Sequence, residues 1–124
     1  MQLISTHTVT TSDIGVNNNL FGGKLMSWMD LAAVAMAKQQ VKSENVLTLK
    51  VSEMIFHRPA KIKNLLKIYG EVSRIGRTSI TIAIEARRMN VCTGEEDLIC
   101  STSIVMVKVN TNGQPTPIVE DCCE

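Results

Sequence analysis

Leu25 to Ala37 reads LMSWMDLAAVAMA, a run in which every residue except Ser27 and Asp30 is apolar or small. Wound as an α-helix, it points Leu25, Met26, Trp28, Met29, Val34 and Met36 in most directions around the axis. A helix apolar nearly all round is enclosed by protein rather than laid on an open surface. Asp30 breaks the pattern. Its neighbours three and four residues away are Met26, Ser27, Ala33 and Val34, none of them cationic. A buried carboxylate without a partner is costly, so an acid at mid-helix marks a functional candidate.

The helix is expected from about Gly23 to Gln40, ending where Lys38 and mostly polar residues follow. Before it, residues 3–11 read as a first strand, and residues 13–19 (DIGVNNN) as a loop rich in residues that tolerate unusual backbone angles. After it the period drops to two: Leu47, Leu49 and Val51 alternate with Thr48, Lys50 and Ser52 in a half-buried strand over residues 46–56. Residues 65–73, 79–89 and 98–109 read as three more strands, with turns at Arg74–Thr78 and Thr93–Glu96. One strand, one apolar helix and four consecutive strands form an α+β pattern. The economical solution is an antiparallel sheet curled around the helix; the order strand, buried helix, strands resembles that of the hotdog fold, a long central helix wrapped by a five-stranded, mostly antiparallel sheet. Residues 1–112 are expected as a single domain and 113–124 as a loose tail carrying Gly113, Pro115 and Pro117.

With 124 residues the chain makes one domain, small for a complete enzyme cleft, so a site completed by oligomerisation is expected. A formal net charge of +1 and 3% aromatic residues argue against nucleic acid as a partner. Cys92, Cys100, Cys122 and Cys123 contain no CxxC pair, so neither a metal site nor a disulfide framework is expected. Free thiols fit a reducing, cytoplasmic setting. The start, Met1-Gln-Leu-Ile-Ser, has neither a basic region nor a long apolar segment, so no membrane association is expected.

Gly22-Gly23 opens the helix, where glycine is a poor former and ordinarily marks the opposite end. Two readings stand side by side: close packing of the loop on the sheet, or access for a ligand to backbone N–H groups at the positive end of the helix dipole. The whole stretch Leu20-Phe21-Gly22-Gly23-Lys24-Leu25-Met26-Ser27-Trp28-Met29-Asp30 closely resembles the signature of the hotdog acyl-CoA thioesterases, the acyl-CoA hydrolase family. Phe56-His57-Arg58-Pro59 resembles that family's F-x-R-P, and Gly76-Arg77-Thr78-Ser79 its G-x-T-S turn. The likeness runs from about Val9 to the Gly113–Pro117 segment.

The resemblance implies an enzyme that hydrolyses acyl-CoA to a carboxylic acid and CoA, with no cofactor beyond the CoA of its substrate. It implies Asp30 as general base or nucleophile, the amide of Gly22, beside Gly23, as polariser of the thioester carbonyl, and Thr48 as the hydroxyl that orients the attacking water. Gly22 and Asp30 are eight residues apart, about 12 Å along a helix, too far to act on one carbonyl carbon. The two therefore come from different subunits of a homodimer, which the resemblance extends to a trimer of dimers. For the anionic nucleotide of CoA, Arg58 and the Arg77-Thr78-Ser79 turn are the candidate contacts, since a guanidinium fork suits phosphate oxygens.

The chain departs from the family pattern at three places. Gly15 stands where the family often has an asparagine, fifteen residues before the acid, and nearby Asn17 is the amide that a shifted loop would supply. Asn18 replaces a glycine before the L-F-G-G run, and Lys63-Asn64 replaces G-D after R-P. A non-catalytic acyl-CoA-binding module is the alternative that Gly15 leaves open. A hydratase of the same fold pairs a histidine with an acid, and neither His7 nor His57 lies in a resembling motif.

Overall fold

The structure, a computed structural model, describes residues 1–118. Strand β1 (Gln2–Thr8) leads through two short 3-10 turns, Thr11–Asp13 and Val16–Asn18, into helix α1 (Gly22–Val41). Strands β2 (Val46–Val51), β3 (Ile55–Phe56), β4 (Leu65–Ile75), β5 (Ser79–Met89) and β6 (Glu96–Lys108) follow. They form one sheet in the order β1-β4-β5-β6-β2, with β3 also on β6, and every pairing is antiparallel. This is the expected hotdog arrangement with six strands instead of five.

The extra strand comes from the expected strand 46–56, which breaks in two while staying on β6. Thr48 faces Met106, Val51 faces Ile104, and Ile55 faces Ser101, so the register slips by one residue within β2 and again before β3. Bulges of this kind bend an edge strand. At the break, Ser52 N–H donates to the Ser103 carbonyl, and the Thr102 hydroxyl donates to the Ser52 carbonyl.

The core lies between the helix and the concave sheet face. Leu25, Met29, Ala32, Ala33, Met36, Ala37 and Val41 recur at helical spacing and bury one side of α1. Against them stand Leu66 and Ile68 of β4, Ile80, Ile82, Ile84 and Ala86 of β5, and Ile104 and Met106 of β6. Alternation in β5 is complete, each inward residue from Ile80 to Ala86 being fully buried. At Gly70 the sheet has no room for a side chain: a Cβ would stand 2.6 Å from Ile4 Cδ1, 2.9 Å from Ile84 Cδ1 and 3.4 Å from Met36 Sδ of the helix. Helix α1 ends at Lys42, in the left-handed region at φ 55°.

Two expectations about burial are corrected. The helix is not enclosed within one chain, because a single sheet covers one side only and leaves Met26 and Leu31 exposed. In strand β2 Val46 alone is buried: Leu47 and Leu49 face away from the core, and the bulge between Thr48 and Lys50 brings Val51 to the side of Thr48. The thermodynamic cost of such an apolar edge is a template for pairing with another chain.

From Asn110 the chain turns back: Thr116 N–H donates to the Lys108 carbonyl and Ile118 N–H to the Arg77 carbonyl. The rest of the expected tail, residues 119–124 with Cys122 and Cys123, lies outside the described residues. No described helix is long and apolar enough to cross a membrane.

Candidate active site

Helix α1 begins without a side-chain cap. Its N-cap residue, Phe21, donates its N–H to the Asp13 carbonyl at 2.8 Å, and the Phe21 carbonyl accepts from Lys24 and Leu25. The N–H groups of Gly22 and Gly23 find no acceptor among the described residues. These are the donors that the start of a helix leaves open, at its positive end.

Local sequence keeps that end accessible. A Cβ on Gly22 would meet only Phe56 Cζ, at an ordinary 3.8 Å, so packing within the chain does not demand a glycine there. A Cβ on Gly23 would come within 2.8 Å of Phe21 Cε2. Both phenylalanines of the chain thus flank the glycine pair, and both are more than half exposed, at 62% for Phe21 and 56% for Phe56.

Gly23, Met26, Ser27 and Asp30 follow one another at helical spacing down one face of α1. With Thr48 and Val51 of β2 they line an open depression of about 390 Å³. On its floor the Thr48 hydroxyl donates to Asp30 Oδ1 at 2.9 Å. The acid that has no partner on its own helix therefore has one on the adjacent edge strand. Asp30 is half-buried, and its second carboxylate oxygen takes no hydrogen bond from the described residues. A carboxylate fixed through one oxygen and open at the other can accept a proton from water or attack a carbonyl carbon.

Asp30, Thr48 and Gly23 are thus together in one depression, whereas Gly22, the residue before Gly23, is not part of its lining. Asn17 is exposed, at φ 57° in the second 3-10 turn, and does not line the depression. Gly15 closes the same turn, donating its N–H to the Asn19 carbonyl. Arg58 is exposed and pairs with Asp97 at 3.4 Å, a carboxylate shared with Arg88 at 3.2 Å. Arg77, Thr78 and Ser79 sit at the β4–β5 hairpin, closed by the Gly76 N–H on the Ser79 carbonyl. Arg88 pairs near one end of β5 and Ser79 begins the other, so within a single chain the two sets of cations are about 30 Å apart at the rise of a strand. His7 stacks on Trp28, with ring centroids 4.3 Å apart, and burial holds its imidazole below the ordinary value. His57 lies at 3.5 Å from the Ser101 hydroxyl. No group of three metal-ligating side chains occurs among the described residues.

Asp13 is the residue that reading the sequence missed. It is buried, its Oδ2 accepts from the Thr10 N–H and hydroxyl at 2.9 Å each, and its Oδ1 pairs with Lys24 at 3.7 Å. The Thr10 backbone bond, then the hydroxyl, then Lys24 hold its carboxyl below the ordinary value against the opposing effect of burial. The pattern Thr10-x-x-Asp13, a capping box in small, was the available signal.

Residues 17–91 match the sequence model of the thioesterase superfamily. An uncharacterized acyl-CoA thioester hydrolase of Haemophilus influenzae is 31% identical over 110 residues, covering 86% of this chain and 71% of that one. The acyl-CoA thioester hydrolase YciA of Salmonella typhimurium is 29% identical over 120 residues, 94% and 90% of the two chains. In three dimensions, the hexameric thioesterase y2039 of Yersinia pestis superposes with a TM-score of 0.89 at 28% identity, over 97% of each chain. HI0827, a hexameric broad specificity acyl-coenzyme A thioesterase, gives 0.87 at 28%, over 97% of this chain and 82% of its own. By sequence match and by fold alike, this chain belongs to the thioesterase superfamily as a hotdog-fold acyl-CoA thioesterase.

Proposed function

We propose that the chain hydrolyses acyl-CoA to a free carboxylic acid and CoA, with each site shared between two subunits of a homodimer. The observation that carries this reading is the pairing of Asp30 with Thr48 in a depression, while the open Gly22 and Gly23 amides are out of reach of the same acid. Seven and eight residues separate them along α1, about 10 to 12 Å. A second copy docked on the apolar β2 edge about a two-fold axis would run its helix antiparallel and lay Asp30 of the partner subunit opposite the Gly22 end. Leu47, Leu49, Val51, Phe21 and Phe56, exposed in the single chain, are the surface such a dimer would cover.

In that arrangement the Gly22 amide donates to the thioester oxygen, and the donation strengthens as the oxygen gains charge in the tetrahedral species. Thr48 fixes one oxygen of Asp30. The other takes a proton from water, whose oxygen attacks the carbonyl carbon, or itself attacks to give an anhydride that water then opens. In either route the C–S bond breaks, CoA leaves as thiolate and is protonated. CoA enters as part of the substrate, and no metal or redox group takes part in these steps.

Because the Arg77-Thr78-Ser79 hairpin and Arg58 lie towards opposite ends of β5 in one chain, joint contact with the phosphates of one CoA would need the hairpin of one copy beside Arg58 of the other. Three such dimers would form the trimer of dimers, as the relatives described as hexameric support by analogy. A reducing, cytoplasmic setting suits a chain whose exposed Cys92 and buried Cys100 are both free thiols.

Gly15 supports one alternative, a module that binds acyl-CoA without turnover. CoA release from short, medium and long acyl-CoAs, followed by mass spectrometry for wild type and folded Asp30→Ala, separates the two. Turnover that collapses in the variant is the expected result; binding without turnover in the wild type would favour the module.

A further inference from the structure

We propose that Asp13 is a positioning residue for the amide end of the site, setting where the Gly22 and Gly23 N–H groups point; as a statement about catalysis, this rests on the thioesterase reading above. Asp13 and Ser43 are the two buried polar residues among those described. The Asp13 carboxylate closes the turn Thr11–Asp13 on both donors of Thr10, and Asp13 N–H returns to the Thr10 carbonyl at 3.0 Å. The closed turn aims the Asp13 main-chain carbonyl at Phe21 N–H, 2.8 Å away. Phe21 is the N-cap residue, and no side chain caps the helix in its place. The first turn of α1 is therefore located from outside by Asp13: through Phe21 on the backbone and through Lys24 on the side chain.

The arrangement also keeps the carboxylate off the site. Asp13 is an anion close to a helix N-terminus, where open amides attract negative charge. Its Oδ2 is engaged by Thr10 and its Oδ1 faces Lys24, so both oxygens are held away from Gly22 and Gly23. Loss of the side chain frees the turn, lets Phe21 and the following amides move, and leaves Lys24 without its counter-charge.

The test uses the full chain labelled with 15N-glycine, in wild type, Asp13→Ala and Asp13→Asn, together with steady-state hydrolysis of one acyl-CoA. Seven glycines make the amide signals resolvable. In Asp13→Ala the Gly22 and Gly23 signals are expected to shift while Gly94 and Gly113, in remote turns, stay in place. Because the displaced amides act on the transition state more than on bound substrate, kcat is expected to fall about 10- to 100-fold with KM within about threefold. Asp13→Asn keeps an acceptor for the Thr10 N–H and should recover most of kcat, which a loss of stability alone would not explain. Should Asp13→Ala fail to fold, Thr10→Val, which removes the hydroxyl donor alone, is expected to give smaller changes in the same direction. A folded variant with unmoved Gly22 and Gly23 signals overturns the proposal, as does one with undiminished kcat. A wild type that turns over no acyl-CoA would sink the thioesterase reading, and the glycine signals would still decide whether Asp13 sets the helix start.

Discussion

Thr48→Val replaces one hydroxyl of the candidate site by a methyl group and changes little else. Valine matches threonine in shape and suits a strand, and Thr48 sits on the solvent-exposed β2 edge of the chain, so no core contact is lost. What disappears is the hydroxyl that donates to Asp30 Oδ1 at 2.9 Å. A hydrogen bond to a charged group contributes about 1.5 to 3 kcal/mol, and the lower end of that range, about 1.5, sets the smallest effect expected. That free energy holds the carboxylate in one orientation; without it the productive fraction falls by about tenfold, at 1.4 kcal/mol per decade. The expected result is a kcat reduced by about one order of magnitude with KM little changed. Both are measured by CoA release followed by mass spectrometry, since the protein's own cysteines react with thiol dyes. Wild-type kcat in a folded Thr48→Val would refute the role given to this bond.

Other changes test the packing and the turns. Gly70→Ala puts a Cβ within 3 Å of both Ile4 and Ile84, and overpacking of this kind should destabilise the fold by about 1 to 3 kcal/mol in chemical denaturation. Lys63 holds a left-handed backbone at φ 73°; Lys63→Gly relieves a strain of about 1 to 2 kcal/mol, offset by about 0.5 to 1 from the freer unfolded chain, and should raise the denaturation midpoint. Asp13 titrates below its unfolded value, so its stabilising contribution is present above the unfolded pKa and is lost as pH falls through the lower folded one. Acid titration of Asp13→Asn should therefore show a shallower loss of stability over that range than the wild type, measured as the unfolding midpoint against pH.

Much of the fold was legible because the period of apolar residues follows secondary structure. Residues 79–89 are β5 to the residue, with buried positions alternating from Ile80 to Ala86, and the run around Asp30 is the helix. Strand β2 was harder, because Leu47, Leu49 and Val51 alternate as a core-facing strand does while their faces lie outside the core of one chain. Periodicity reports that a face is apolar, not which body covers it. The bond between Asp30 and Thr48 spans eighteen residues of sequence and depends on the bulged edge of β2, which composition does not encode. Two departures from the family pattern acquire a physical meaning only in three dimensions. Asn18, at φ 60°, and Lys63, at φ 73°, stand where the resembling sequences have glycine, and both hold the left-handed conformation that glycine adopts at least cost. Asparagine tolerates that region, whereas lysine is strained in it. Asp13 was passed over because a polar loop hides one buried carboxylate among exposed neighbours.

The division of each site between two subunits is tested most directly by mixing two inactive variants. Asp30→Ala lacks the acid. Gly22→Pro lacks the amide, at the first helical position, where proline is well accepted. In a two-fold dimer, one chain of each kind leaves one site with an intact Gly22 and an intact Asp30. Random reassociation of equal amounts, after reversible dissociation, should then restore about a quarter of wild-type activity. Recovery to that level is the predicted result. A mixture as inactive as its parents, with subunit exchange shown by mass spectrometry, would mean that the amides and the acid act within one chain.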